Sequence, residues 1–220
     1  ESNAYYSYAS VLGRMLDAEV EVNARCGAKV CHFVWADCGA SNNEGRGKGL
    51  CNGIDWLKSI NVRNSTEYDY ANNQPDLVVI NLGTNDIPYQ KDENGNWVGI
   101  WDDTGDEKYS NDVPKLLKRV HELYPNAKIV WTVGMMDRNT DISKEYIGYF
   151  KDYVESWSAA NDNAAYFLDL SDFADLNGHL GHPTTESHSV AAEEIYNFII
   201  DNNLGINSSD LAELNSVQKK

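Results

Sequence analysis

The sequence has no long hydrophobic run and few basic residues, and each of these absences excludes a class of function. No apolar stretch approaches the roughly 20 residues that a membrane-spanning helix needs, so we expect no transmembrane segment. Lys and Arg together number 18 against 34 Asp and Glu, which gives a net charge of −16. A field of that sign repels phosphate backbones and anionic lipid. Nucleic-acid and membrane-surface roles are therefore disfavoured, while neutral or polyhydroxylated substrates are compatible with the charge.

Cysteine is scarce and is confined to the first quarter of the chain. The four thiols are Cys26, Cys31, Cys38 and Cys51. Their spacings are too loose for paired CxxC zinc knuckles. An even number in a secreted chain allows disulfides, and Cys38 and Cys51, which bracket a polar loop, are the favoured pair; buried free thiols are the alternative.

The sequence also has no phosphate-binding loop. The glycine-rich stretch over 45–49 does not follow directly on a predicted strand, and no Lys-Ser or Lys-Thr closes it. It therefore matches neither a P-loop nor a dinucleotide-binding fingerprint. We predict a solvated loop there and no cofactor.

Helical and strand patterns alternate along the 220 residues, which favours one α/β domain with a parallel sheet. Aliphatic runs and alternating patterns predict strands over 75–82, 127–133, 165–170 and 19–24. Apolar residues at helical spacing predict helices over 4–16, 50–60, 112–124, 144–160 and 186–200. We expect a three-layer α/β/α sandwich over 1–205 with a mainly parallel sheet, and a loosely held tail over 206–220.

Residues with useful chemistry follow the predicted strands, where ligands of parallel α/β sheets bind. His182 is the natural proton shuttle, because imidazole titrates near neutral pH. Asn85, after the strand over 75–82, can donate a hydrogen bond to an oxyanion. Gly27 follows the strand over 19–24, and a glycine there lets a backbone N–H approach a ligand closely.

Three stretches in combination resemble the SGNH, or GDSL-type, hydrolases. LVVINLGTND over 77–86 is similar to their third sequence block, and HPTTESH over 182–188 to their last. The stretch over 3–19 resembles the helix after their first block, most closely in carbohydrate esterase family 2. That family removes acetyl groups from plant cell-wall polysaccharides such as xylan and glucomannan. The resemblance implies a flavodoxin-like α/β/α fold and a secreted serine esterase that acts on an acetylated polysaccharide or oligosaccharide.

The resemblance also implies roles for single residues. His182 would be the catalytic base, and Asn85 and the backbone N–H of Gly27 would be oxyanion donors. Gly39, in the next loop, is a rival for the position of Gly27.

The sequence departs from the family at the nucleophile. The family's Ser lies in a Gly-Asp-Ser block on the first strand, upstream of the helix with which this sequence opens. Ser7 and Ser10 fall on the predicted helix, and Ser41 falls in a loop without a strand-to-helix elbow. Loss of a central strand would also leave backbone groups unpaired in the interior. We therefore expect an upstream peptide segment to supply the Ser and the missing first strand.

A second departure concerns the group that orients the base. His179 stands where many members have Asp, three residues before His182. A backbone carbonyl is the expected substitute, as in some members of carbohydrate esterase family 2. Asp169 or Asp172, folded back to the imidazole, is the alternative.

Two other functions compete with the esterase. A zinc site could use His179, His182, Glu186 and His188, but glycines and a proline place the first two in a loop rather than on a helix face, and we predict no metal. A non-catalytic relative could instead bind sugar.

In both the esterase and the sugar-binding alternative, we expect aromatic residues to contact the sugar. Trp97 and Trp101 lie in the long segment after Asn85 and are candidates for stacking on a sugar ring, although they could equally cover the edge of the sheet.

Overall fold

A computed structural model describes residues 3–24, 29–30, 68–87, 89–99 and 105–204. The helices are a 3-10 turn (Ala4–Tyr6), α1 (Tyr8–Met15), α2 (Gly105–Leu123), α3 (Asp141–Ala159), two further 3-10 turns (Ser171–Phe173 and His179–Gly181) and α4 (Thr185–Asp201). The strands are β1 (Leu77–Asn81), β2 (Tyr89–Lys91), β3 (Trp97–Gly99), β4 (Lys128–Val133) and β5 (Ala165–Asp169).

Three of the strands form a parallel sheet in the order β1-β4-β5. Asn81 pairs with Thr132, which pairs with Leu168 on the other side. β4 is buried along almost its whole length, because it has a strand on each side and a layer of helices on each face. This position explains why its sequence is mostly apolar on both faces rather than alternating.

Helices cover both faces of the sheet and make three layers. On one face α2 and α3 pack against β4 through a buried cluster, which includes Val113, Leu117, Val120, Ile129, Trp131, Tyr146, Phe150 and Val154. On the other face α1 and α4 pack through a second cluster, which includes Leu12, Val130, Ala191, Ala192, Ile195 and Ile199. The predicted α/β/α sandwich with a parallel sheet is confirmed.

Two features of the second quarter differ from the sequence prediction. α2 begins at Gly105, earlier than the predicted 112, and its added turns bury Tyr109 against Tyr146 and Phe150. The segment that follows Asn85 contains a short antiparallel hairpin of β2 and β3, where the sequence indicated only a loop.

The predicted strand over 19–24 is wrong. These residues form no strand, and the side chains of Val20 and Val22 are 47% and 57% exposed. A strand forms only beside a hydrogen-bonding partner, and none of the described strands pairs with this segment. Val20 instead folds back onto α1 at Gly13, where any Cβ would lie 2.1 Å from the valine Cγ2.

Several sequence predictions concern residues outside the described part of the chain. They include the helix over 50–60, the cysteine pairing and the tail over 206–220, which stay predictions. Among the described helices, none is both long and apolar enough to cross a membrane.

Candidate active site at the carboxyl edge of the sheet

Asn85 lies in the turn after β1, and the backbone of this turn is held in one conformation. The Asp86 N–H donates to the Gly83 carbonyl at 2.9 Å and closes the turn. Gly83 has a φ of +131°, and a Cβ there would lie 3.0 Å from side-chain carbons of Phe150 and Val133. Only glycine fits both the backbone conformation and the space. Asn85 is exposed at the carboxyl edge, between the constrained Gly83 and the buried Asp86.

Asp86 is an anchoring residue that the sequence did not single out. Its side chain is 1% exposed, and its Oδ2 accepts the N–H of Val30 at 2.9 Å. Its carbonyl accepts the Tyr109 hydroxyl at 2.8 Å. A carboxylate is tolerated in the interior only when it is hydrogen-bonded. Asp86 thereby ties the segment at Val30 to the turn that carries Asn85.

His182 lies in the connection from β5 to α4, whose backbone is tightly folded. The Gly178 N–H donates to the His182 carbonyl at 2.7 Å, and a Cβ at Gly178 would lie 2.4 Å from that oxygen. Leu180 has a φ of +56° and Gly181 a φ of +72°, so the loop reverses direction sharply just before His182. The imidazole is exposed at the end of this reversal.

A backbone carbonyl orients the imidazole, as the resemblance implied. His182 Nδ1 lies 3.1 Å from the carbonyl oxygen of His179. A carbonyl can only accept, so the hydrogen lies on Nδ1 and Nε2 carries the lone pair of a base. The alternative Asp169 instead accepts the Ser171 N–H at 2.8 Å, and Asp172 is exposed in the 3-10 turn that follows β5.

Asn85 and His182 lie at the same edge of the sheet. Asn85 follows the carboxyl end of β1 and His182 follows that of β5, and these parallel strands flank β4. Two strand spacings separate the strands by about 10 Å. The Asp175 N–H donates to the Met135 carbonyl at 3.3 Å, which ties the His182 loop to the loop after β4 between them.

A second histidine connects α1 to α4 beneath this edge. His188 Nδ1 accepts the backbone N–H of Tyr8 at 3.3 Å, and the two rings stack with centroids 6.1 Å apart. Asn81, the last residue of β1, hydrogen-bonds the Tyr8 side chain. Burial lowers the pKa of His188 and raises the pKa of Tyr8, so both are uncharged at neutral pH. The sequence contained no signal for this contact, which joins residues 180 positions apart.

The remaining predicted site residues fall partly outside the described structure. Gly27, Gly39 and Trp101 lie outside it, and Trp97 begins β3 but its side chain is not described. Within the described ranges, no group of three or more His, Cys, Asp and Glu side chains is arranged to hold a metal ion.

Known proteins are similar to this chain in sequence and in fold. The cellulase/esterase CelE of Acetivibrio thermocellus is 27% identical over 200 residues, which cover 88% of this chain and 21% of that protein. The acetyl xylan esterase Est2A of the rumen bacterium Butyrivibrio proteoclasticus superposes with a TM-score of 0.67 at 21% identity, over 91% of this chain and 56% of that one. A family two carbohydrate esterase of Clostridium thermocellum, solved with cellohexaose, gives a TM-score of 0.65 at 24% identity, over 91% and 55%.

These likenesses agree with the family that the sequence blocks predicted. The chain spans about a fifth of the curated relative and little more than half of the two solved structures. The sequence pattern of the GDSL-like lipase/acylhydrolase family matches residues 1–190, so it includes the turn of Asn85 and the loop of His182. With these blocks present in order on the expected sheet, the chain belongs to the GDSL-like lipase/acylhydrolase family.

Proposed function

We propose that this chain is part of a serine esterase that removes acetyl groups from a plant cell-wall polysaccharide or oligosaccharide, such as xylan or glucomannan. The observation that carries the proposal is the fixed imidazole of His182, whose Nδ1 lies 3.1 Å from the His179 carbonyl. It lies at the sheet edge that also presents the exposed amide of Asn85. A base with a defined tautomer and a neutral donor are the two groups that acyl transfer requires beside its nucleophile.

In this proposal, deacetylation proceeds in two halves. A serine hydroxyl attacks the acetyl carbonyl carbon while Nε2 of His182 takes its proton, and the oxyanion accepts hydrogen bonds from Asn85 and the Gly27 N–H. The bond between the carbonyl carbon and the sugar oxygen breaks as the imidazolium returns the proton to that oxygen. Water then attacks the acetyl-serine by the same route, which releases acetate and restores the serine.

The nucleophilic Ser comes, in this proposal, from a segment outside residues 1–220 that forms the first strand of the sheet. Among the described strands, β1 pairs only with β4, so its other edge has no partner strand in the described part of the chain. Only Ile80 of β1 is fully buried, although the strand is as aliphatic as β4. Ser7 and Ser10 do not replace the nucleophile: Ser7 caps α1 and Ser10 lies within it.

The proposed substrate is uncharged and polymeric. The net charge of −16 does not oppose a neutral polysaccharide, and Trp97 and Trp101 are proposed as its stacking platform. A cell-wall polymer is accessible only outside the cell, so we propose that the protein is secreted.

Loss of the imidazole tests the proposed function. In the native protein, we expect His182→Ala to lower kcat for p-nitrophenyl acetate and for acetylated xylan by about 10²–10⁴-fold, the usual contribution of a general base. The matched control is His121→Gln on the last turn of α2, at the opposite end of the sheet, which should keep the wild-type rate. Hydrolysis that survives His182→Ala would remove this residue from the mechanism.

The same assay distinguishes an enzyme from a sugar-binding relative. A wild-type protein that binds xylo-oligosaccharides but hydrolyses neither ester would have the non-catalytic function, with Trp97 and Trp101 as its platform. Loss of acetate release on His182→Ala, with sugar binding retained, supports the esterase.

A further inference from the structure

Asp175 receives an unusual number of hydrogen bonds for a partly exposed carboxylate. Its Oδ2 accepts the Thr184 N–H at 3.3 Å, the Thr184 hydroxyl at 3.0 Å and the Ser187 hydroxyl at 2.5 Å. Its Oδ1 accepts the N–H and the side-chain amide of Asn177 at 2.8 and 2.7 Å. The hydrogen bond from Ser187, followed by that from the Asn177 N–H, holds the pKa of Asp175 well below its usual value. The carboxylate is therefore charged throughout the neutral and mildly acidic range.

These bonds close the loop that carries His182. Asp175 stands at the start of the loop, whereas Thr184 is the N-cap of α4 and Ser187 lies in its first turn. Oδ2 thus joins the start of the loop to its end, and Oδ1 holds the first turn inside it. A further hydrogen bond, from the Gly178 N–H to the His182 carbonyl, joins the two halves of the loop.

The carboxylate also connects the loop to rigid parts of the fold. The Asp175 backbone N–H donates to Met135 directly after the central strand, and Thr184 begins a helix whose buried residues pack on the sheet. The orienting contact from His179 to His182 lies wholly inside this closed loop. Its geometry therefore depends on the two ends that Asp175 holds together.

We propose that Asp175 is a positioning residue of the catalytic site, which fixes the His182 imidazole by closing the 175–184 loop onto the N-terminus of α4. The inference rests on the proposed function, in which His182 is the base. Asp175 acts through the loop and contacts no reacting atom. An acid that oriented the base directly would hydrogen-bond the imidazole, whereas here the imidazole contacts the His179 carbonyl.

The sharpest variant is Asp175→Asn, which keeps the shape of the side chain. An amide has one accepting oxygen, and its nitrogen cannot accept the Asn177 donors or the Thr184 N–H, although the hydroxyls of Thr184 and Ser187 can turn to accept from it. Either the Asn177 bonds or the bond from the Thr184 N–H are therefore lost whichever way the amide turns, and the negative charge is lost in both cases. A displacement of the base by about 1 Å can cost about 10²-fold in rate, so we expect kcat to fall by about that factor while KM changes little.

Three measurements on the native protein test the proposal. They are kcat and KM for p-nitrophenyl acetate, the NMR signals and pH titration of the His182 ring, and hydrogen exchange of the amides over 176–183.

Asp69→Asn is the matched control. The Asp69 carboxylate likewise accepts the N–H and side-chain amide of an asparagine, Asn72, but it lies before β1 at the opposite end of the sheet. Ser187→Ala removes a single bond to Asp175 and serves if Asp175→Asn does not fold; it should lower kcat by a smaller factor.

The outcomes separate positioning from general stability. A fall in kcat with unchanged KM, a shifted His182 signal and faster exchange over 176–183, with Asp69→Asn like the wild type, support the proposal. Wild-type kcat in Asp175→Asn or Ser187→Ala, or an equal loss in Asp69→Asn, overturns it. If the wild-type protein hydrolyses no ester, the proposed function fails, and the ring signals and exchange rates alone decide whether Asp175 holds His182.

Discussion

The position of Asn85 depends on Gly83, the glycine two residues before it. Gly83 turns the chain at φ +131° directly after β1, and its Cα faces Phe150 and Val133 in the core. The Trp131 indole N–H donates to the Leu82 carbonyl at 2.9 Å and fixes the residue before it. The position of Asn85 therefore follows from packing below the turn, and a change in that packing should reach the candidate site.

We expect Gly83→Ala to destabilise the protein and to slow ester hydrolysis. Strain at such a backbone position costs about 1–3 kcal/mol. For a domain of this size the melting temperature falls by roughly 2–4 °C per kcal/mol, which differential scanning calorimetry would resolve. Hydrolysis should fall further than the folded fraction does, because the turn that carries Asn85 must shift.

Gly148→Ala is the control for this prediction. Gly148 lies inside α3, and a Cβ there would meet nothing within 4 Å. Alanine should stabilise that helix by about 0.5–1 kcal/mol. Equal melting temperatures for Gly83→Ala and the wild type would show that the turn is not constrained as described.

At the scale of elements, the sequence predicted what local pattern determines and missed what distant partners determine. The strands over 77–81 and 128–133 were predictable because each contains an uninterrupted apolar run, which is typical of a parallel strand with helices on both faces. The strands β2 and β3 have three residues each, which is too short for a periodic pattern in the sequence. What holds the hairpin is visible only in the structure, where Asp92 accepts the Asn96 N–H across the turn. The residues over 19–24 alternate as a strand would, but none of the described strands pairs with them, and they form no strand.

The same distinction applies to the candidate site. His182 and Asn85 were identifiable because glycines and a strand end accompany them in sequence. The bonds of Asp175 to Thr184 and Ser187, and that of Tyr8 to His188, depend on how the elements fold together, and no spacing in the sequence specifies them.

The contact between α1 and α4 should make stability depend on pH. The Tyr8 N–H needs an acceptor, and His188 Nδ1 can accept only when the ring is neutral. Burial lowers the pKa of His188, so the unfolded chain binds a proton first as pH falls below about 6.5. The contribution of His188 is therefore complete above that pH, and it decreases as pH falls towards the lowered pKa of the folded state. Thermal unfolding between pH 5 and pH 8 would measure it.

Two substitutions at His188 separate its charge from its hydrogen bond. Asn offers an acceptor near the position of Nδ1 and does not titrate, so His188→Asn should reduce the loss of stability between pH 8 and pH 5. Phe keeps the stacked ring but removes the acceptor, so His188→Phe should cost roughly 1 kcal/mol above about pH 6.5 and less towards pH 5, where the wild-type ring also stops accepting. An unchanged pH profile in His188→Asn would assign the dependence to other groups.

For the molecule as a whole, the parallel sheet of the described residues has two open edges, β1 and β5, and the edge of β1 is the one at which we expect a further strand. The Asp76 carbonyl accepts the Lys128 N–H at 3.0 Å, so alternate residues from Asp76 onwards direct their backbone groups towards β4. Leu77, Val79 and Asn81 therefore direct their N–H and carbonyl groups away from it. An aliphatic parallel strand with an open edge favours pairing with another strand. That geometry leads us to propose an additional strand beside β1.

If the Ser-bearing segment forms that strand in the native protein, the outward amides of β1 should be protected from hydrogen exchange. Leu77, Val79 and Asn81 should then exchange as slowly as the amides of β4, because both sides of β1 would be paired. A serine-directed phosphonate should in addition label a single serine that maps outside residues 1–220, and His182→Ala should abolish the labelling because the base activates the hydroxyl. Protection of Ile80 and Val78 without protection of their outward neighbours would show that β1 is a true edge strand. Label on a serine within residues 1–220 would place the nucleophile in this chain, and the proposed additional segment would then have no catalytic role.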